Sequence, residues 1–176
     1  SGCTLAAMAV ASEDAITTID VLRALFAQYG PPLLLKADNG PGFTSVLMRA
    51  FLNHHDVQLL LSPAYTPTYN GACEAGNGTI KHLTHQIACR HNRPECWTLD
   101  DLEAARLLAN HRITDRVQTL NPEERLAKCI PITTDDRVRF RATIAKHRER
   151  RRVDSEIATA HGVRRIAADA LERQAI

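Results

Sequence analysis

The chain has 176 residues, enough for one domain with a sizeable core and an appendage. Hydrophobic residues make up 44% and charged residues 24%, an ordinary balance for a soluble globular protein, and no apolar run approaches membrane-spanning length. A net charge of +2 is too mild to argue for nucleic-acid binding, so any such surface has to come from local clustering.

Residues 3–11 are apolar and short and suit a buried strand. Ala9-Val10-Ala11 looks superficially like a signal cleavage site, but no basic segment precedes it. Ser12 is a good N-cap, with Glu13 and Asp14 in the first turn near the positive end of the helix dipole. Ile16, Ile19, Leu22, Leu25, Phe26 and Tyr29 then recur at helical spacing. Gly30 ends that helix and Pro31-Pro32 prevents its continuation. Leu33, Leu34 and Leu35 open a buried strand that delivers Asp38 to its carboxyl end before the chain breaks at Asn39-Gly40.

The pattern predicts a second helix over 44–54, capped by Thr44 or Ser45, with Leu47, Ala50 and Phe51 as its apolar face and His54-His55 at its end. Residues 57–61 read as another buried strand. A proline-punctuated loop through Pro63 and Pro67 leads to a helix opening near Gly71. At 100° per residue, Gly78, Lys81 and His85 share the face of Glu74. Cys73, Ile80, Leu83 and Ile87 lie mostly opposite, as a stripe expected to pack on the sheet. Asn92-Arg93-Pro94 closes that helix. Thr98 caps another, with Leu99, Leu102, Ala105, Leu107 and Leu108 apolar, and Trp97 reads as core.

After Pro131 the composition shifts. Residues 135–152 are helix-like and arginine-rich, and Gly162 separates them from a last helix over 163–174. Such arginines could hold phosphates, although a solvated helix face is the commoner use of a charge run. Strand, helix, strand, helix, strand, loop, helix is the order expected of α/β layers with parallel neighbours. The five cysteines, Cys3, Cys73, Cys89, Cys96 and Cys129, are odd in number and irregularly spaced, which argues for reduced thiols in a cytoplasmic setting. His82, His85, Cys89, His91 and Cys96 cluster in sequence, but their spacing fits no standard zinc site. No Gly-rich nucleotide loop is present, which leaves a small-molecule α/β enzyme without a supporting motif.

Thirty-five residues separate Asp38 from Glu74, so one acid ends a strand and the other opens a helix. Such a pair suits a divalent cation, because hard cations take oxygen ligands from converging elements. Asp38-Asn39-Gly40 with Phe43, then Pro63, Pro67, Asn70-Gly71 and Glu74, then Lys81, resemble the catalytic core of the integrase and transposase superfamily, which uses an Asp, Asp, Glu triad. The likeness covers about residues 5–90 and is nearest in pattern to bacterial insertion-sequence transposases with a retroviral-integrase-like core. The stretch around Asn110-His111-Arg112 echoes the segment after that core only loosely.

The resemblance implies an RNase H-like α/β fold, a mixed sheet with flanking helices, over residues 1–131. A helical, arginine-rich extension follows over 132–176. It implies DNA integration or transposition by metal-dependent phosphodiester cleavage and strand transfer on two Mg²⁺ (or Mn²⁺) ions ~4 Å apart. Asp38 is then the second Asp and Glu74 the Glu, both catalytic and metal-binding. Asn39, Gly40, Asn70 and Gly71 shape the presenting loops, with Lys81 and His85 toward DNA. For His85 a plain solvated face is the other reading. The first Asp of the pattern would fall before Ser1, as would the first two strands. The expectation is therefore an N-terminally truncated core whose two-metal site needs that missing acid, inactive alone and poorly stable because strand edges are exposed. The alternative is a non-catalytic DNA-binding or interaction remnant. DNA is the expected partner, a homo-oligomer the expected full-length state, and no membrane association is implied.

Overall fold

The computed structural model describes residues 2–63, 67–112 and 119–160. Among these, residues 14–63 with 131–160 form one compact unit, and residues 2–13 with 67–112 and 119–130 form another. The last helix expected over 163–174, and Ala64, Tyr65 and Thr66 of the proline loop, lie outside the described residues.

The first unit holds the sheet. Helix α1 (Ala15–Tyr29) starts later than the cap at Ser12 would have it. Asp14 is extended and its carboxylate accepts the Thr17 amide at 2.8 Å, so Asp14 is the cap and not a first-turn residue. Gly30 ends the helix at φ 78°, a left-handed conformation that a side chain would strain, and its amide donates to the Phe26 carbonyl. Strand β1 (Leu34–Ala37) pairs in parallel with β2 (Gln58–Leu61), Leu34 opposite Gln58 and Ala37 opposite Leu61.

Two helices connect the strands. Short α2 (Pro41–Thr44) has no counterpart among the expected elements; Pro41, at the first helical position, lacks only an amide that has no intrahelical partner there. Helix α3 (Val46–His54) is capped by Ser45, whose hydroxyl accepts the Met48 amide. Its buried face is Met48 and Leu52 with Phe51 half-buried, whereas Leu47 and Ala50 are exposed. The expected face is thus turned by about one residue, because Met48 and Leu52 are the residues that join Ile19, Leu22, Phe26 and Val57 in the core.

Ile19, Leu22, Phe26, Met48, Leu52 and Val57 form the core, with Leu35, Phe43, Phe51 and Leu59 packed on it. Phe26 stacks on Phe51 at 5.6 Å, and His55 lies edge-on to both rings. Burial, with the neighbouring His54, pushes the His55 pKa down. The long α7 (Thr134–Ala160) belongs to the same unit and extends past the expected end at 152. Ile144 is buried, Arg137 donates to the carbonyls of Pro31 and Pro32, and Arg141 pairs with Asp56 at 2.7 Å.

The second unit is helical. Helix α4 (Gly71–Arg90) follows a 3-10 turn at Pro67–Asn70 and packs against α5 (Leu99–His111), which meets α6 (Pro122–Ala127). Ile80, Leu83, Thr84 and Ala88 on α4 and Ala105 on α5 are buried. The stripe expected to lie on the sheet is therefore the seam with α5, and Cys73, expected within it, is exposed. Trp97 is not core either: it is 49% exposed.

The turn between α4 and α5 is locked by charge. Asp101 is 3% exposed, and its carboxylate takes two bonds from Arg93, at 2.9 and 3.0 Å, and two from Thr98, both at 2.8 Å. The Arg93 guanidinium holds the Asp101 carboxyl well below the usual carboxylate range.

Residues 3–11 do not form the expected strand. Asn110, buried on α5, accepts the Thr4 amide at 2.8 Å and donates to the Thr4 carbonyl at 2.9 Å; Arg106 donates to the same carbonyl at 3.0 Å. Side chains thus supply at Thr4 what a neighbouring strand would have supplied. Residues 8–11 are exposed.

Candidate metal and nucleic-acid site

Asp38 stands one residue past the carboxyl end of β1, where ligands gather in parallel α/β sheets. Three hydrogen bonds fix that exit. The Ser62 amide and hydroxyl both donate to the Ala37 carbonyl, at 2.8 and 2.9 Å, and the Asn39 side-chain amide donates to the Ser62 carbonyl at 3.0 Å. The Gly40 amide donates to Asp38 Oδ1 at 2.9 Å, an Asx-type turn that aims the carboxylate. A Cβ at Gly40 would sit 2.9 Å from that same oxygen, so a larger residue there would make the Asp38 carboxylate shift from this position. Ser62 is 4% exposed, and its part was not anticipated; a serine after an apolar run carries no signal that its hydroxyl will bridge two strands.

Glu74 lies in the first turn of α4, where the helix dipole favours an acid. Asn70 precedes that helix without a side-chain capping bond, and Gly71 opens it. Glu74, Gly78, Lys81 and His85 are all exposed along the helix, as are the other residues from 72 to 79. His85 Nε2 lies 3.5 Å from Cys89 Sγ, and its ring lies 6.3 Å from the Trp97 ring.

The structure therefore groups Asp38, Asn39 and Gly40 with Ser62 in the sheet unit, and Asn70, at the cap of α4, with Gly71, Glu74, Lys81 and His85 along α4 in the helical unit. Among the described residues no three His, Cys, Asp or Glu side chains are grouped to hold a metal ion. Each acid has the donor chemistry that Mg²⁺ prefers. A carboxylate offers about four lone-pair sites, so the single bond from Gly40 leaves Asp38 able to take a cation. The five cysteines are free thiols. No helix among the described residues is long and apolar enough to cross a membrane.

An integrase core domain family model matches residues 3–67. An uncharacterized Caenorhabditis elegans protein is 37% identical over 70 residues, 40% of this chain and 6% of that protein. The Gag-Pro-Pol polyprotein of Human T-cell leukemia virus 2 is 31% identical over 74 residues, 42% of this chain and 5% of the polyprotein. The chain thus spans a small fraction of the length of these relatives.

Among solved structures, the simian T-cell lymphotropic virus intasome matches with a TM-score of 0.62 and 22% identity, over 73% of this chain and 49% of that one. The catalytic core domain of BIV integrase matches at 0.57 and 21%, over 72% and 79%. The HTLV-2 integrase catalytic core, solved with magnesium in a trimeric form, matches at 0.53 and 20%, over 64% and 70%. The fold is that of the retroviral integrase catalytic cores, RNase H-like, here helix-rich with a small sheet.

Proposed function

We propose that this chain serves DNA integration as part of a metal-dependent polynucleotidyl transferase core. The carrying observation is Asp38: an acid at the carboxyl end of a parallel strand, aimed by the Gly40 amide, inside the stretch that matches the integrase core. Asp38 and Glu74 are the acids that hold divalent metal, magnesium or manganese. The bound metal supplies activation of the attacking hydroxyl and stabilisation of the leaving oxygen. Asn39 and Gly40 keep the Asp38 carboxylate oriented, Asn70 and Gly71 set the entry to α4, and Lys81 neutralises phosphate on the glutamate's own helix face. His85 lies on that face too. The partner is DNA, and a multimer brings two DNA ends together. A reducing, cytoplasmic setting suits the thiols. Within the superfamily, the motif spacing from Pro63 to Glu74 is our ground for the insertion-sequence branch, while one relative described above is a Gag-Pro-Pol polyprotein.

A non-catalytic DNA-binding role is the second reading, favoured by the lack of a three-acid group among the described residues. Strand joining on oligonucleotide duplexes separates the two. The protein is assayed as its whole reading frame, with Mg²⁺ or Mn²⁺. Asp38→Asn and Glu74→Gln should each abolish joining by about a hundredfold or more, with an unchanged thermal midpoint. Joining that survives both substitutions would overturn the assignment. Duplex binding that is steep in salt yet indifferent to Mg²⁺, with no joining, selects the second reading.

A further inference from the structure

Helix α7 uses its basic residues in two different ways. Over its first half they are structural: Arg137 holds the carbonyls of Pro31 and Pro32, Arg141 pairs with Asp56, and Arg139 lies 3.6 Å from Asp136. Beyond the buried Ile144 the charge density rises. Lys146, Arg148, Arg150, Arg151 and Arg152 surround a single acid, Glu149, which Arg152 already engages at 2.8 Å. Arg148 lines a groove of about 340 Å³ with Asn53, Asp56 and Gln58, on the docked side of the helix. Lys146 and Arg150 make no ion pair among the described residues, and both are exposed.

At 100° per residue, Arg139, Lys146 and Arg150 fall within about 40° of one another on the side opposite Ile144. Along the axis they stand about 10 and 6 Å apart, at 1.5 Å per residue. Lys146 and Arg150 are one turn apart and repel each other in the isolated chain. Arg139 in this row has Asp136 beside it, whereas Lys146 and Arg150 have no ion-pair partner among the described residues; two such cations, exposed on the side of a helix away from Ile144, suit a polyanion. Double-stranded DNA presents about one phosphate per 1.7 Å of its axis.

We propose that the outer face of the second half of α7 binds the phosphate backbone of duplex DNA through Lys146 and Arg150. This surface lies outside the residues that match the integrase core and needs neither Asp38 nor Glu74. It rests on the proposed function only for its partner, DNA. Contacts to phosphate carry no sequence information, so the face acts as a grip that positions the duplex.

The test is duplex binding by the full chain, read as fluorescence anisotropy of a mixed-sequence oligonucleotide between 50 and 200 mM salt without divalent metal. The variants are Lys146→Gln/Arg150→Gln and, as an exposed cation elsewhere, Lys128→Gln. Each lost phosphate contact lowers the log–log salt slope by about 0.9, so the double variant should lose about two units of slope and tenfold or more in affinity at 100 mM salt. Lys128→Gln should change neither, and circular dichroism should show unchanged helix content in both. An unchanged slope in the double variant overturns the proposal, as does a parent chain that binds anionic vesicles or poly-glutamate as tightly as DNA. Loss of metal-dependent joining in Asp38→Asn with this salt slope intact would separate the grip from the catalytic assignment, and the reverse result would sink the grip alone.

Discussion

The two compact units are stabilised by different physics. In the sheet unit, Ile19, Leu22 and Phe26 of α1 and Val57, just before β2, close around Met48 and Leu52 of α3, which are 0% and 1% exposed. The helical unit has a thinner apolar seam and depends on buried polar groups that satisfy one another: Asp101 with Arg93 and Thr98, and Asn110 with the Thr4 backbone. The first kind of stability is non-directional and follows from area removed from water. The second is directional, and each member leaves a costly orphan when its partner goes.

Substitutions should expose that contrast most strongly in the sheet unit. Leu52→Ala removes a fully buried side chain and should cost about 2–5 kcal/mol, read as a lower midpoint in urea unfolding. A loss under about 1 kcal/mol would mean that this core is looser than its burial indicates.

Next is Asp101→Asn, whose signature is pH dependence. The folded carboxyl titrates below its unfolded value, so its stabilisation is fully present above about pH 4 and is lost as pH falls further. The variant should melt lower at pH 7, by less than Leu52→Ala. Its midpoint should also fall less steeply on acidification, the remaining slope being carried by groups such as Glu103, Asp136 and Glu149, whose pKa values are lowered too. Parallel acid profiles for variant and parent would remove the Arg93–Asp101 link from the account.

The smallest effect is expected from Asn110→Ala. It deletes two hydrogen bonds to a half-buried backbone that water and Arg106 partly resupply, for roughly 1–2 kcal/mol. Faster hydrogen exchange at the Thr4 amide, with α5 otherwise protected, would show that Asn110 pins the segment; unchanged exchange would show that it does not.

The same contrast decides what was legible in the sequence. Helical spacing around Phe26 and the apolar runs before Asp38 and Ser62 placed α1, β1 and β2, because non-directional burial leaves a period in the sequence. Thr98 announced its helix because capping is local chemistry. The segment 3–11 was misread because its composition suits a strand, while the group that satisfies Thr4 lies 106 residues away on α5. Of the α4 stripe, Ile80 and Leu83 are buried, in the unit where α4 packs on α5, while Cys73 is exposed, since periodicity identifies a buried face without identifying its neighbour or its ends. At the candidate site, the place of Asp38 just past a strand and of Glu74 in the first turn of a helix was legible from the local sequence; the bridge from Ser62 to Ala37 was not, being a long-range bond of a commonplace side chain.

The bond from Gly40 to Asp38 has a thermodynamic consequence for any ion that arrives there. Freezing a side chain on binding costs about 0.5–1.5 kcal/mol, and here folding has already restrained the carboxylate's rotation. An incoming cation meets an oxygen whose heading is set, so little of its hydration energy need be spent on arranging the receptor.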